Sequence, residues 1–267
     1  RVYCVPLLSG IIGTLQSKML PTGDMVAGDL RLELTLAHVA DGMVQAGTAV
    51  NPRSWGVTDV ELMLEYTELA SDAARMISQA NSGGYMISFD SFASYGSSIE
   101  SGSTTANVVI PARFSSLKTL FTVMRKQSNV GDVSKKTISN RLNKFGNIGQ
   151  WYYALGGKNC PATPVKSSTE AFAELSKALH TFGAVDHTSL VTRSNWTQTE
   201  GTYVIAQVLE TQPHRSKLQE GGVNTLTTNS HLIAQFNSAL TEAVIVTTHA
   251  HYDGILICQN GLCSVQF

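Results

Sequence analysis

Residues 105–124 read TANVVIPARFSSLKTLFTVM and contain two segments of β-strand character separated by a break. Apolar residues alternate with polar ones over 105–110, and apolar and β-branched residues dominate 117–124. Pro111 and the pair Ser115-Ser116 between them are typical of a turn or loop. The stretch therefore predicts two strands, over 105–110 and 117–124, and points to a strand-rich chain.

Similar patterns recur on both sides of this stretch. Residues 30–36 alternate strictly between apolar and polar side chains, which is the signature of a half-buried strand. Further strands are predicted at 59–66, 150–155, 203–209, 232–236, 243–248, 255–258 and 262–267. Two segments are helical instead: residues 71–80, and a longer segment that begins at the capping box Ser167-x-x-Glu170 and ends at Gly183. These elements predict an all-β fold with a few short helices in loops, arranged as a β-sandwich with long connections at 81–106 and 211–231.

Composition limits the class of protein. The chain has 267 residues, of which 43% are hydrophobic and only 15% are charged, against roughly 25% charged residues in an average domain. These values exclude a disordered chain and a histone-like polycation. No stretch of apolar residues is long enough for a transmembrane helix. A polar but weakly charged surface suits a protein that packs against copies of itself.

The net charge of −1 results from cancellation along the chain. Residues 1–100 have five basic and eleven acidic residues, residues 101–169 have ten basic and one acidic, and residues 170–267 have four basic and eight acidic. The basic middle is either a solvated face or a contact to other copies, to an enclosed genome or to lipid headgroups. The candidate contact residues are Lys118, Arg125, Lys126, Lys135, Lys136, Arg141 and Lys144.

Four cysteines occur without a CxxC pair, which argues against a structural zinc site. A turn at Asn260-Gly261 places Cys258 opposite Cys263 on the two strands of a hairpin, where side chains come closest. A cross-strand disulfide and a pair of reduced thiols are both compatible with this position, and we favour the reduced pair.

Two motifs suggest other functions. His249, His251 and Asp253 resemble part of the HxHxDH zinc motif of metallo-β-lactamase-type hydrolases, but Gly254 stands where that motif has its last histidine. A zinc hydrolase is therefore a remote alternative. A glycan- or receptor-binding module, or a minor capsid or spike protein, is a nearer alternative, with Trp55, Trp151 and Trp196 as candidate sugar platforms. We expect no enzyme activity, no cofactor, no metal and no small-molecule substrate.

Short motifs follow one another in a fixed order over nearly the whole chain. They are residues 6–10, 18–21 and 30–36 near the start, residues 110–121, Trp151-Tyr-Tyr, Gly156, Pro161-x-x-Pro164-Val165 and Glu170-Ala-Phe-Ala-Glu-Leu in the middle, and residues 221–225, Val244, Tyr252-Asp253 and 261–267 at the end. In this order they resemble viral major capsid proteins of the double jelly-roll type, as found in small eukaryotic DNA viruses and related metagenomic genomes.

The resemblance implies two tandem jelly rolls, which we place at 1–135 and 136–267. The start at Arg1, part-way through the motif pattern, implies a first jelly roll that is incomplete at its N-terminus, and a compact double jelly roll is the alternative.

The implied function is a self-assembling major capsid protein: three copies form a pseudo-hexagonal capsomer, and capsomers form an icosahedral shell. The implied partners are copies of the chain, a penton or minor capsid protein, and an enclosed genome or internal membrane. The implied location is the virion, assembled inside the infected host cell.

Overall fold

The computed structural model describes residues 4, 10–12, 20–22, 31–36, 56–81, 84–130, 147–179, 203–210, 221–259 and 262–267. Within these ranges the strands are β1 (Tyr85–Ile99), β2 (Thr105–Ile110), β3 (Leu117–Lys126), β4 (Ile148–Leu155), β5 (Lys158–Val165), β6 (Ile205–Val208), β7 (Ser230–Phe236), β8 (Val244–Gln259) and β9 (Leu262–Gln266). The helices are α1 (Ser71–Ala80), α2 (Ser168–Ala178) and a single 3-10 turn at Gln127–Asn129.

The strand order is that of a jelly roll. One sheet has the order β1-β8-β3-β6, with β9 also pairing with β8, and the other has the order β2-β7-β4-β5. The neighbouring pairs are therefore β1 and β8, β2 and β7, β3 and β6, and β4 and β5. This is the pairing of a long antiparallel ribbon rolled into a sandwich. The predicted all-β, jelly-roll fold is confirmed for the described part of the chain.

The core lies between the inner faces of the two sheets. Burial alternates along β2, β7 and β8, so that Val108 and Ile110 of β2 are buried while Val109 between them is exposed. The largest side chains with almost no exposed surface are Trp151, Tyr153, Ile110, Leu117, Leu120, Ile148, Leu175, Ile205, Leu232, Val244 and Val246. These residues come from both sheets and from α2, which is why the described strands form one sandwich.

The chain divides into two compact units, which do not follow the predicted boundary. One unit consists of residues 1–37, 52–91 and 254–267, and the other of residues 38–51 and 92–253. The second unit contains strands from both sides of residue 135: β2 pairs with β7, and β3 pairs with β6 and β8. Within this unit, strands before residue 135 therefore pair with strands that follow it.

Most predicted strands are confirmed. The segments at 105–110, 117–124, 150–155, 203–209, 232–236 and 262–267 all overlap observed strands, and the segments at 243–248 and 255–258 are parts of the single strand β8. The predictions at 30–36 and 59–66 are wrong, because the described residues of both segments are exposed and form no strand. Alternation of polar and apolar residues is necessary for a half-buried strand, but a partner strand must also supply hydrogen bonds.

Two strands were not predicted. β1 lies within the serine- and glycine-rich segment that we assigned to a connection, and β5 contains Pro161 and Pro164. β5 is an edge strand of its sheet, where proline is tolerated because one side of the strand needs no hydrogen-bond donors. Composition alone therefore argues against β1 and β5. Each forms because it pairs with a neighbouring strand, β1 with β8 and β5 with β4.

Both predicted helices are present. α1 has the predicted bounds. At α2 the Ser167 side chain accepts a hydrogen bond from the Glu170 backbone N–H while the Glu170 carboxylate accepts from the Ser167 N–H, which is the predicted capping box. α2 ends at Ala178, and the predicted stop at Gly183 lies outside the described residues.

Cys258 and Cys263 are opposite one another on β8 and β9, with a Cα–Cα distance of 4.1 Å. Their sulfur atoms are joined in a disulfide, whereas the sequence led us to favour the reduced pair. The turn residues Asn260 and Gly261 lie outside the described residues.

Candidate functional site

Of the seven basic residues predicted as contacts, the structure describes Lys118, Arg125 and Lys126, whereas Lys135, Lys136, Arg141 and Lys144 lie outside the described residues. Lys126 forms an ion pair with Glu242 at 3.2 Å, and Ser128 also donates a hydrogen bond to that carboxylate. The hydrogen bond from Ser128, and then that from Lys126, lowers the pKa of Glu242. Lys118 also has carboxylate partners, so two of these three cations are neutralised within the chain.

Lys118 is the centre of a buried polar cluster, which we call the lysine cluster: Ser116, Lys118, Glu210 and Asp253. The Lys118 Nζ lies 2.5 Å from the Asp253 Oδ1 and 3.7 Å from the Glu210 Oε1. The Ser116 hydroxyl donates to the Asp253 Oδ2 at 2.8 Å. One ammonium group therefore lies between two carboxylates, and a hydroxyl group holds one of these carboxylates from its other side.

The sheet order produces this arrangement. β3, which carries Lys118, lies between β8 and β6, and these two strands bring Asp253 and Glu210 to the same end of the sheet. The register of β3 against β8 shifts between Leu117 and Thr119, so that Lys118 is the extra residue of a β-bulge. A bulge redirects the side chain of its extra residue, and here the lysine is directed between the two acids.

The cluster is largely removed from water. The side chains of Lys118, Glu210 and Asp253 are 13%, 5% and 30% exposed. Burial of charges costs free energy that only close pairing offsets, and the distances within the cluster supply that pairing. The sequence analysis assigned Lys118 to an external contact and Asp253 to a remote zinc site, and it did not identify Ser116 or Glu210. A lysine within the apolar strand LKTLF was the signal that a buried carboxylate partner had to exist.

The two histidines of the remote zinc motif contact different side chains. The Nδ1 atom of His249 lies 2.7 Å from the Ser94 hydroxyl, and the His251 ring stacks on Phe92 with a centroid distance of 4.7 Å. Asp253 belongs to the lysine cluster. Within the described part of the chain, no group of three or more histidine, cysteine, aspartate or glutamate side chains is arranged to hold a metal ion.

The candidate sugar platforms do not form a described site. Trp151 is fully buried in the core, where it packs edge-to-face against Tyr153 with ring centroids 6.0 Å apart. Trp55 and Trp196 lie outside the described residues. None of the described helices is long and apolar enough to cross a membrane.

Residues 56–81 form an exposed segment that we call the acidic arm. It has no regular secondary structure up to Ala70 and continues as α1, and every residue in it is exposed except Ala73, which is half-buried. Its large apolar side chains include Met63 and Tyr66, which are 86% and 79% exposed. The arm has five acidic residues and one basic residue. Apolar side chains exposed over such a length are typical of surface that is covered by a partner.

Two solved structures share the fold of this chain. No family model and no curated protein sequence matches the chain. The quasi-atomic model of the PBCV-1 virus capsid matches it with a TM-score of 0.52 and 11% identity, over 74% of this chain and 55% of that chain. The crystal structure of PBCV-1 VP54 fitted into a reconstruction of the virophage Sputnik matches with a TM-score of 0.50 and 10% identity, over the same shares. The Faustovirus major capsid protein gives a TM-score of 0.48 at 6% identity, over 72% of this chain and 36% of that chain.

The chain thus has a jelly-roll fold that also occurs in the PBCV-1 virus capsid. It spans about half the length of the PBCV-1 chains that it matches.

Proposed function

We propose that this chain is a structural, non-enzymatic subunit of a viral capsid that assembles with copies of itself inside an infected host cell and becomes part of the virion. One observation carries the proposal: the jelly-roll strand order, with the likeness of this fold to two PBCV-1 capsid structures. A sandwich wall of this kind is rigid, and rigid subunits suit a closed, symmetric assembly.

The acidic arm supports self-association. Its exposed Met63 and Tyr66 supply apolar surface, and its net charge of −4, from five acidic and one basic residue, is opposite to that of residues 101–169. Exposed basic side chains of that basic segment include Arg113, Lys158 and Lys166. We assign the arm of one copy to the basic surface of a neighbouring copy, because opposite charges direct the encounter while apolar burial stabilises the contact.

The proposed assembly is a homotrimer with pseudo-hexagonal outline, many copies of which form an icosahedral shell. Other proposed partners are a penton or minor capsid protein and an enclosed genome or internal membrane. Arg125, Lys135, Lys136, Arg141 and Lys144 are the basic residues proposed for the inner face or the contact between subunits. Lys118 and Lys126 leave this set because their charges are already paired within the chain, Lys118 in the lysine cluster and Lys126 with Glu242.

Size-exclusion chromatography with light scattering tests the proposal on the purified chain. We expect a trimer that dissociates as salt is raised, since screening weakens contacts between opposite surface charges. Negative-stain microscopy of assembled material should then show capsomers or closed particles. A chain that is folded by circular dichroism but monomeric at every concentration and salt tested would contradict the proposal.

Variants of the arm locate the contact. The double variant Met63→Ser, Tyr66→Ser removes apolar surface from the arm and should lower the trimer fraction at fixed concentration. The matched control is Leu226→Ser, which changes an exposed apolar side chain outside the arm. If both variants lower the trimer fraction equally, the arm is not the contact.

A further inference from the structure

We propose that Lys118 and Asp253 are joined by an intramolecular amide bond that the folded chain forms by itself, with Glu210 carrying the proton. This inference rests on the lysine cluster alone and is independent of the proposed role in a capsid. A covalent bond here links β3 to β8, two adjacent strands in the middle of the same sheet.

The reacting groups are already in contact. The Lys118 Nζ forms an ion pair with the Asp253 Oδ1 at 2.5 Å, and this oxygen is bonded to the Cγ that the amine would attack. Both groups are on adjacent paired strands, and the Asp253 backbone N–H donates to the Ser116 carbonyl at 3.1 Å, which fixes the position of the aspartate. Groups held in this way react with an effective concentration on the order of 10⁵ M or more.

Burial favours a neutral product. Before the reaction the site holds one ammonium group and two carboxylates, and afterwards only Glu210 is charged, so formation of the amide removes two of the three charges. Glu210 is the base of the proposal: its side chain is 5% exposed and its Oε1 lies 3.7 Å from the lysine nitrogen, so a movement of about 0.5 Å brings it within hydrogen-bond reach of the ammonium group.

The reaction balances without a further reagent. The Glu210 carboxylate takes one proton from the Lys118 ammonium, and the lone pair of the resulting amine forms a bond to the Asp253 Cγ. The Cγ–Oδ1 bond then breaks, and Oδ1 leaves as water with the proton held by Glu210 and a second proton from the nitrogen. One N–H remains in the amide, Glu210 is again a carboxylate, and nothing is oxidised or reduced.

Ser116 stabilises the Asp253 Oδ2, the carboxylate oxygen that remains in the amide. Its hydroxyl donates to the Asp253 Oδ2 at 2.8 Å, and the Gly222 backbone N–H donates to the same hydroxyl oxygen at 2.9 Å. The two hydrogen bonds form a chain that points at Oδ2, where negative charge develops when the amine adds to Cγ. Donors fixed in advance at such a position are an effective form of electrostatic catalysis.

The intact mass of the full chain tests the bond. The protein is purified, shown to be folded by circular dichroism, then reduced and denatured before mass spectrometry. We expect a mass lower than that of the sequence by one water molecule. Trypsin should release residues 114–125 attached to residues 218–267, since no lysine or arginine occurs in the second segment and the linked Lys118 resists cleavage.

Variants distinguish formation of this amide bond from other reactions that remove a water molecule. An Asp-Gly sequence such as Asp253-Gly254 also loses water when it forms a succinimide, and that loss would persist in Lys118→Arg. The amide bond requires a primary amine, so Lys118→Arg should have the full mass. Glu210→Gln should also have the full mass, whereas Lys126→Arg, which alters the pair with Glu242, should still lose one water molecule.

An unmodified mass for the folded wild-type chain, or a water loss that persists in Lys118→Arg, would overturn the proposal. A water loss retained in folded Glu210→Gln would overturn the role of Glu210.

Discussion

The hydroxyl group of Thr122 on β3 lies 2.8 Å from the phenol oxygen of Tyr153 on β4, and this hydrogen bond joins the two sheets inside the core. Thr122 is also 2.8 Å from the hydroxyl of Thr248, its partner across the strand pair with β8. Burial raises the pKa of Tyr153, so the phenol stays protonated and is able to donate. Three polar side chains thus satisfy one another within an otherwise apolar sandwich.

Tyr153→Phe should destabilise the fold by about 1–2 kcal/mol, because it removes a buried hydrogen bond and leaves the threonine pair with one partner fewer. The matched control is Tyr152→Phe, which removes the same hydroxyl from the neighbouring, half-exposed residue. Urea unfolding followed by circular dichroism gives both free energies of unfolding. Equal effects of the two variants would mean that the bond between the sheets contributes nothing.

Gly222→Ala should destabilise the fold by about 1–3 kcal/mol, because a new Cβ would meet packed backbone. That atom would lie 2.2 Å from the Leu117 carbonyl oxygen, at the point where Val223 and Leu117 exchange backbone hydrogen bonds. Gly221→Ala is the control, since nothing lies within 4 Å of its added Cβ. Thermal unfolding of both variants checks the difference, and a Gly222→Ala chain as stable as Gly221→Ala would refute it.

Ile110→Ala should cost about 2–5 kcal/mol of unfolding free energy, because it leaves a cavity in the core of the sandwich. Val109→Ala, one residue earlier on the same strand, should cost no more than about 0.5 kcal/mol, because the Val109 side chain is exposed. Denaturant titration of the two variants measures the contrast. A larger loss of unfolding free energy in Val109→Ala than in Ile110→Ala would mean that β2 turns its other face toward the core.

Glu170 should make the stability of the fold depend on acidic pH. The backbone N–H of Lys166, followed by that of Ser167, holds the pKa of this carboxyl below its ordinary value. A lowered folded-state pKa adds stability that is fully present above the unfolded value of about 4.3 and is lost as the pH falls through the folded-state pKa. Glu170→Gln should flatten this part of the pH profile, and urea midpoints measured on both sides of that range check it. An unchanged profile would show that the capping box does not couple to folding.

Local patterns in the sequence identified much of the fold. Alternation over residues 105–110 predicted β2 with its observed bounds, and the Ser167 and Glu170 spacing predicted the start of α2. Both signals are local: a strand with one buried face has a period of two, and a capping box closes within one turn of helix. The motif order also resembled double jelly-roll capsid proteins, and the described strands have a jelly-roll order.

Properties that depend on distant partners were not predictable in this way. Alternation at 30–36 and 59–66 was as good a signal as that of β2, yet the described residues there form no strand, while the serine-rich β1 pairs with β8. The boundary at 135 stays a prediction, and local patterns carry no information about the pairing of β2 and β3 with strands beyond it.

The sequence by itself determined where the chain alternates, turns and begins a helix, and that its charge is low overall and concentrated as basic residues in the middle. Only the tertiary structure decided that Lys118 belongs to a buried cluster rather than to a surface. The neighbours that neutralise this lysine are Asp253 on β8 and Glu210, two residues after the end of β6, and the sheet order brings both of them to it. A charge is stabilised by what lies within a few ångströms in space, whatever its separation along the chain.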